Sequence, residues 1–383
     1  MKYTQFLDAK PLYYDKIDLE RMPKTYESIK NYLPHPRVVH VVGTNGKGTT
    51  GRFLANALLK NGLNVGHYTS PHILRFNERI WINGRDADDI MIGSAHKWLY
   101  SLLGKENADA LSYFEYSTFL AMKVFEKCDI VVLEAGLGGE FDATNVFEKE
   151  LSLFTPIGFD HQAFLGESIE EIASTKFRSM AKTAILGAQP YGEVEALYEK
   201  TGSEKNSTTL LVSGLLSEND IITIQKIAHK LSLADYLKQN LSLAVSALNV
   251  LKIPYGIDSF AESPMFGRLT RIDEQVILDV GHNTLAAKAI AGALEGEKFT
   301  LVYNSFKDKD TFEILRILKP VVQSVEIISV NNVRTESGDV LESALKELNL
   351  PYRQFRAVEK GRKYLVFGSF GVAEAFLKNY RTI

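Results

Sequence analysis

Hydrophobic residues recur along the chain in two rhythms. Short apolar runs, Arg37 to Val42, Asn64 to Tyr68 and Asp129 to Leu133, alternate with stretches of helical period, of which Lys47 to Lys60 is the clearest. Apolar runs of that length, bounded by turn residues, predict buried strands, and their alternation with helices predicts a parallel sheet with helices on its faces. The rhythm breaks at "IPYGIDSFAESPMFG", residues 253–267, which is rich in Pro, Gly and Ser and poor in period. It resumes with strands predicted at Gln275 to Val280, Phe299 to Tyr303, Val325 to Val330 and Tyr364 to Phe367, separated by helices such as Leu285 to Leu294 and Val340 to Leu348. The pattern therefore predicts two α/β domains, residues 1–260 and 261–383, with a crevice between them of the kind that holds ligands.

Composition narrows what such a chain does. A hydrophobic fraction of 45% and a charged fraction of 24% suit a folded globular protein and exclude a disordered one. A net charge of −3 gives no broad basic field, which argues against nucleic acid and anionic membrane as partners. The start, MKYTQFLDAK, lacks a signal-peptide pattern, and no run is long enough to span a membrane. Cys128 is the single cysteine, so no intramolecular disulfide forms, and the cytoplasm is the expected compartment. The eight histidines make neither an HExxH motif nor a zinc pattern, and no repeat has solenoid spacing.

The chemistry begins at "HVVGTNGKGTTGRF", residues 40–53. It resembles a phosphate-binding loop but departs from the usual spacing: Val41 stands where the first glycine belongs, and the hydroxyls fall at Thr49 and Thr50 behind Gly48. A strand, a glycine-rich turn and a helix in succession give an anion free backbone N–H groups and the positive end of the helix dipole. Gly43, Gly46 and Gly48 keep Cβ atoms out of the way, and Lys47 supplies a cation. A turn that merely ends a strand would look similar. Two further strand ends weigh against that: "DIVVLEAGLGGEFD" leads from an apolar strand to Glu134 and a glycine cluster, and Asp160-His161 follows another apolar run. Glu134 in isolation could cap a strand in solvent, and an Asp-His pair is often only structural. On one parallel sheet, however, these polar residues converge at the carboxyl edge, where ligands bind.

Taken in order, "GTNGKGTT", "TSPHILRFNERIWING", "FEYST", "LEAGLGGEFDATN", "FDHQAFLGESIEEIASTK", "GRLTRI", "LDVGHN", "KDKD" and "LVFGSF" resemble the folylpolyglutamate synthase and dihydrofolate synthase branch of the Mur ligase family. The resemblance runs from about residue 17 to residue 377, with a shortened stretch at 195–235. It implies an N-terminal P-loop ATPase domain with a parallel central sheet, and a smaller Rossmann-like C-terminal domain on the glutamate side. The implied reaction activates a pterin carboxylate with ATP as an acyl phosphate, which the amine of L-glutamate then attacks to form an amide.

Residue roles follow from the resemblance alone. ATP would lie on Gly43, Thr44, Asn45, Gly46, Lys47, Gly48, Thr49 and Thr50, with Asn240 on the adenine side, Arg268 on phosphate and Asp279 on ribose. Two magnesium ions are implied, with Ser70, Glu134, His161 and a carbamylated Lys176 as ligands. Lys47, His161, Lys176 and His282 would act in catalysis, His282 near the γ-phosphate. Arg79, Phe114, Asp142 and Ala143 match the pterin segments. Departures are present as well: Leu237 replaces a usual Gln, Glu140 a usual Arg, and Thr175-Lys176-Phe177 a usual Glu-Lys-Ala. The expected substrates are ATP, L-glutamate, dihydropteroate and reduced folates, and the expected state is a monomer. Rival readings are a single one of the two folate activities, a Mur-like ligase for another carboxylate, a kinase that stops at phosphoryl transfer, and a non-catalytic nucleotide-binding protein.

Overall fold

A computed structural model describes residues 2–11, 18–263 and 265–380. Residue 17, where the family resemblance begins, and Pro264 of the predicted linker lie outside the described residues. The chain forms two compact α/β units. The first is drawn from residues 1–157, 165–232 and 237–263, and the second from 158–164, 233–236 and 264–383. The chain thus enters the second unit at two short segments before residue 264, one of them carrying Asp160-His161.

Among the described residues the first unit holds eight strands: β1 (Arg37–Val42), β2 (Val65–Tyr68), β3 (Ile80–Ile82), β4 (Arg85–Asp86), β5 (Ile130–Glu134), β6 (Leu151–Phe154), β7 (Thr183–Leu186) and β8 (Thr208–Leu211). Their order is β4-β3-β2-β5-β1-β6-β7-β8. From β2 to β8 every pair is parallel, so β1, β2, β5 and β6 deliver their carboxyl ends to one edge. The central strands are apolar on both faces because helices cover both, as expected of a parallel sheet. The cluster of Phe6, Tyr116, Phe119 and Phe125 and that of Phe177 and Tyr198, whose rings meet Phe154 edge to face, lie side by side on one face, since Val38 pairs with Val131 and Val42 with Phe154. The helix Lys47–Lys60 covers the other, where a Cβ on Gly51 would meet His67 Nε2 at 2.5 Å. The antiparallel edge pair β3–β4 adds to the predicted parallel sheet. Its turn is Asn83-Gly84 with both φ angles positive, 47° and 98°, the two-residue hairpin that Asn-Gly favours.

The second unit holds β9 (Thr270–Arg271), β10 (Val276–Leu278), β11 (Phe299–Tyr303), β12 (Val322–Ile327), β13 (Tyr352–Gln354) and β14 (Tyr364–Phe367), ordered β13-β12-β11-β14-β10-β9. All pairs are parallel except β10–β9. Strand β12 begins three residues before the predicted Val325. Its register against β11 shifts between Phe299 and Thr300, which absorbs polar Gln323 and disguises the strand's start in the sequence.

Candidate functional site

The phosphate-loop sequence sits at the carboxyl end of β1, between that strand and the helix Lys47–Lys60. Two of its glycines are required by geometry. A Cβ on Gly43 would lie 1.9 Å from Thr155 Oγ1, and one on Gly46, where φ is +86°, would lie 2.4 Å from Asn240 Oδ1. Backbone N–H groups of Thr44 and Asn45 donate to the Pro156 carbonyl, at 3.0 and 3.3 Å, which ties the loop to the segment after β6. The helix then starts at Lys47, whose ammonium folds back to donate to the carbonyls of Gly43 and Thr44 at 3.3 and 3.2 Å. In its first turn the hydroxyls of Thr49 and Thr50 are buried without a hydrogen-bond partner. Such orphaned hydroxyls are uncommon, and at the start of a phosphate-loop helix they fit a metal-nucleotide ligand.

Glu134 closes β5 beside this loop and is 4% exposed, which removes the view of it as a solvent-facing strand cap. Its Oε2 accepts from the Thr69 hydroxyl and, at 3.2 Å, from the Ser70 N–H, while Oε1 stands 3.9 Å from the Lys47 ammonium. Ser70, Glu134 and Lys47 are thereby gathered at one sheet edge. Lys176 joins them from the helix Ile169–Phe177, which opens with a reciprocal Ser168–Glu171 cap. The Lys176 side chain is buried, and its ammonium donates to the Gly43 carbonyl at 3.1 Å. Lys47 and Lys176 therefore share one acceptor oxygen, an arrangement that sets two cations close together.

The glycine cluster after Glu134 packs where side chains would not fit. A Cβ on Gly136 would meet the Phe114 ring at 2.6 Å, and one on Gly139 would meet the Lys176 carbonyl at 2.8 Å. Glu140 N–H donates to Thr175 O, and the Glu140 carboxylate pairs with Arg178. Along the chain those departures stand apart; folded, they are partners. Asp142 is buried, and its carboxylate accepts from the N–H of Leu137 and from both the N–H and hydroxyl of Thr144. Its oxygens are thus spent on the loop, with Ala143 buried behind it.

Arg79 is buried at the end of the 73–79 loop, where Glu78 accepts from the N–H groups of Ile73, Leu74 and Arg75 at 2.7–2.9 Å. Its Nε donates to His72 Nδ1 at 2.8 Å and its guanidinium lies 5.2 Å from the Tyr113 ring. Burial, followed by the charge of Arg79, pushes the His72 imidazole down to about 3, so it is a neutral acceptor. The Phe114 ring lies 5.7 Å from that of Tyr68.

The second unit places the remaining residues at the ends of its own strands. Asp279 follows β10, and its carboxylate accepts from Gly281 N–H at 2.7 Å, Leu269 N–H at 2.8 Å and the Tyr236 hydroxyl at 3.1 Å. Arg268 lies over the Phe370 ring at 5.3 Å. Asp160 accepts from Lys309 at 2.5 Å and Asn283 at 3.0 Å, and His282 Nε2 stands 3.4 Å away. Burial alone would raise the Asp160 carboxyl, but the hydrogen bond and charge of His282, with His161 and Lys309, hold it well below the usual carboxylate range. His161, Asp160 and Asp308 can bring ligand atoms within 4.8 Å of one another, and Lys309 pairs with both carboxylates. Lys309 carries no strand-end or glycine signal; the "KDKD" run that holds it was its only mark in the sequence.

No protein-family model matches the chain. The Haemophilus influenzae dihydrofolate synthase/folylpolyglutamate synthase is 30% identical over 428 aligned residues, covering 98% of this chain and 95% of that protein. The crystal structure of Helicobacter pylori folylpolyglutamate synthetase is 37% identical and superposes with a TM-score of 0.81 over 99% of this chain and 98% of that one. Escherichia coli FolC in complex with DHPP and ADP is 26% identical, with a TM-score of 0.79 over 98% and 96% of the two chains. Among the described residues, no helix is long and apolar enough to cross a membrane. With the phosphate loop, the buried Glu134 and the two-unit α/β architecture in agreement, the chain belongs to the dihydrofolate synthase/folylpolyglutamate synthase family of carbon–nitrogen ligases.

Proposed function

We propose that this enzyme uses ATP to join L-glutamate to dihydropteroate and to reduced folates, as a cytoplasmic monomer of two domains, residues 1–260 and 261–383. The observation that carries the proposal is the convergence of Lys47, Lys176 and Glu134 on the Gly43 loop, an anion cradle with a carboxylate at its rim. Its pairing of DHPP with ADP makes the Escherichia coli complex supporting evidence.

Gly43 to Thr50 line the triphosphate, with Thr44 and Asn45 anchoring the loop to Pro156 and the N–H groups beyond them, with the Thr49 and Thr50 hydroxyls, facing the phosphates. Asn240 borders the adenine side, and Lys47 neutralises charge on the transferring phosphoryl group. Arg268 and His282 act on the phosphates. Asp279, whose oxygens accept Gly281, Leu269 and Tyr236, shapes the ribose-side turn. The orphaned Thr49 hydroxyl and the Glu134 carboxylate fit a divalent cation. In the first unit Ser70 and Glu134 would hold one magnesium ion and a carbamylated Lys176 a second, and the ions would supply charge neutralisation to phosphoryl transfer, while His161 stands with Asp160 and Asp308 in the second unit. A carbamate on Lys176 would also relieve the repulsion between two ammonium groups on one oxygen. Arg79 clamps the acceptor's carboxylate, Phe114 stacks on its ring, and the Asp142-Ala143 segment walls the same region.

The test is ADP release with Mg-ATP, bicarbonate and L-glutamate, supplying dihydropteroate or tetrahydrofolate as acceptor. Turnover with both is expected. Release independent of glutamate would make the protein a kinase, and none with either acceptor would overturn the proposed substrates.

A further inference from the structure

His40 lies in the middle of β1, three residues before the phosphate loop, and is fully buried. Its Nε2 stands 2.7 Å from Thr144 Oγ1, and that hydroxyl lies 2.5 Å from Asp142 Oδ1. The direction of this chain of hydrogen bonds is fixed by counting protons. Asp142 Oδ1 already accepts the Thr144 N–H at 2.9 Å, so it is an acceptor and the Thr144 hydroxyl spends its single proton on it. The hydroxyl oxygen can then only receive from the imidazole, and His40 is the Nε2–H tautomer. Its Nδ1 is buried without a partner, as an unprotonated nitrogen in an apolar strand would be. Burial, and then the charge of Lys149, holds His40 well below its ordinary value of 6.5, in keeping with a neutral ring.

The loop that this chain secures has two working neighbours. Gly136 lies flat against Phe114, and Gly139 against the Lys176 backbone, each too close to admit a Cβ. A shift of the loop therefore moves the seat of the Phe114 ring and of the Lys176 helix together. We propose that His40 is a positioning residue for the acceptor side of the reaction: by donating to Thr144 it aims that hydroxyl at Asp142 and fixes the 136–144 loop to the strand that carries the phosphate loop. It touches no substrate and acts through Thr144 and Asp142. The inference rests on the acceptor-side roles proposed for Phe114 and Lys176.

The test compares His40→Leu, which removes the donor, with His40→Gln, whose side-chain amide reaches the Nε2 position, and Thr144→Val with Thr144→Ser. His40→Leu and Thr144→Val are expected to raise KM for the pterin acceptor about tenfold while KM for ATP stays within about twofold, and His40→Gln and Thr144→Ser to stay near wild type. Parallel shifts in both KM values, or equal effects of the two substitutions at His40, would overturn the positioning role. If His40→Leu does not fold, the Thr144 pair decides alone. Nitrogen-15 NMR of the wild-type imidazole gives a readout without turnover: a neutral Nε2–H signal is expected, and an Nδ1–H tautomer would refute the proposal. Failure of the wild type to turn over any pterin would remove the substrate assignment, and the tautomer would still be decided by NMR.

Discussion

Lys47 and Lys176 donate to the same Gly43 carbonyl, and this makes them distinguishable by experiment. Lys47→Ala removes a cation that the loop does not need for its own fold, because Gly43 and Gly46 are shaped by Thr155 and Asn240. Glutamate-dependent ADP release should vanish while the melting temperature moves by no more than about 2 °C; retained turnover would take the lysine out of the mechanism. Lys176→Ala should lower kcat by about 100-fold or more, with partial recovery in acetate or propionate, which replace the lost carbamate. Full activity in that mutant would refute the carbamate. Phosphate-loop glycines and the strand-end Glu134 were visible from residue order alone, since phosphate chemistry leaves few choices. Asp142 and Asp279 were visible only as positions: that their oxygens are committed to backbone donors and to Thr144 or Tyr236 depends on neighbours up to 43 residues away.

Elements differ in how tightly their glycines are held. Gly46 adopts a left-handed φ at the entry to the helix Lys47–Lys60 and abuts Asn240, so Gly46→Ala strains the turn and displaces the asparagine. We expect Mg-ATP affinity to fall at least about tenfold by calorimetry with the far-ultraviolet circular dichroism unchanged; undiminished affinity would mean that the turn tolerates a side chain. Gly93, inside the helix Asp89–Ala110, has open space around its Cβ direction. Gly93→Ala should instead stabilise the protein, by about 0.5–1 kcal/mol in urea denaturation, through helix propensity and reduced unfolded-state entropy. Periodicity foretold the helix in the first case. It could not separate the two glycines, because the distinction lies in what packs against each.

At the scale of the whole molecule, buried histidines couple stability to pH. His40 and His67 are held well below 6.5 by burial, and His72 is pushed down to about 3. Between the folded and unfolded values the unfolded chain binds more protons, so stability rises with pH in that window and is lost on acidification from 6.5. His72→Gln should make the fall in the urea midpoint between pH 6.5 and 5 shallower than in wild type. An unchanged slope would mean that His72 is not held neutral. The sequence by itself determined the two α/β series, the central strands and the phosphate loop, because burial on both faces and tight phosphate turns constrain residue type locally. It underspecified the edges: Asn83-Gly84 made an antiparallel hairpin, and β12 began before its apolar run. Only the tertiary structure decided that Lys176 reaches Gly43, that Glu140 pairs with Arg178, and that His40 donates to Thr144. Those partners lie 38 to 133 residues apart, and a hydrogen bond at that separation leaves no periodic trace in the chain.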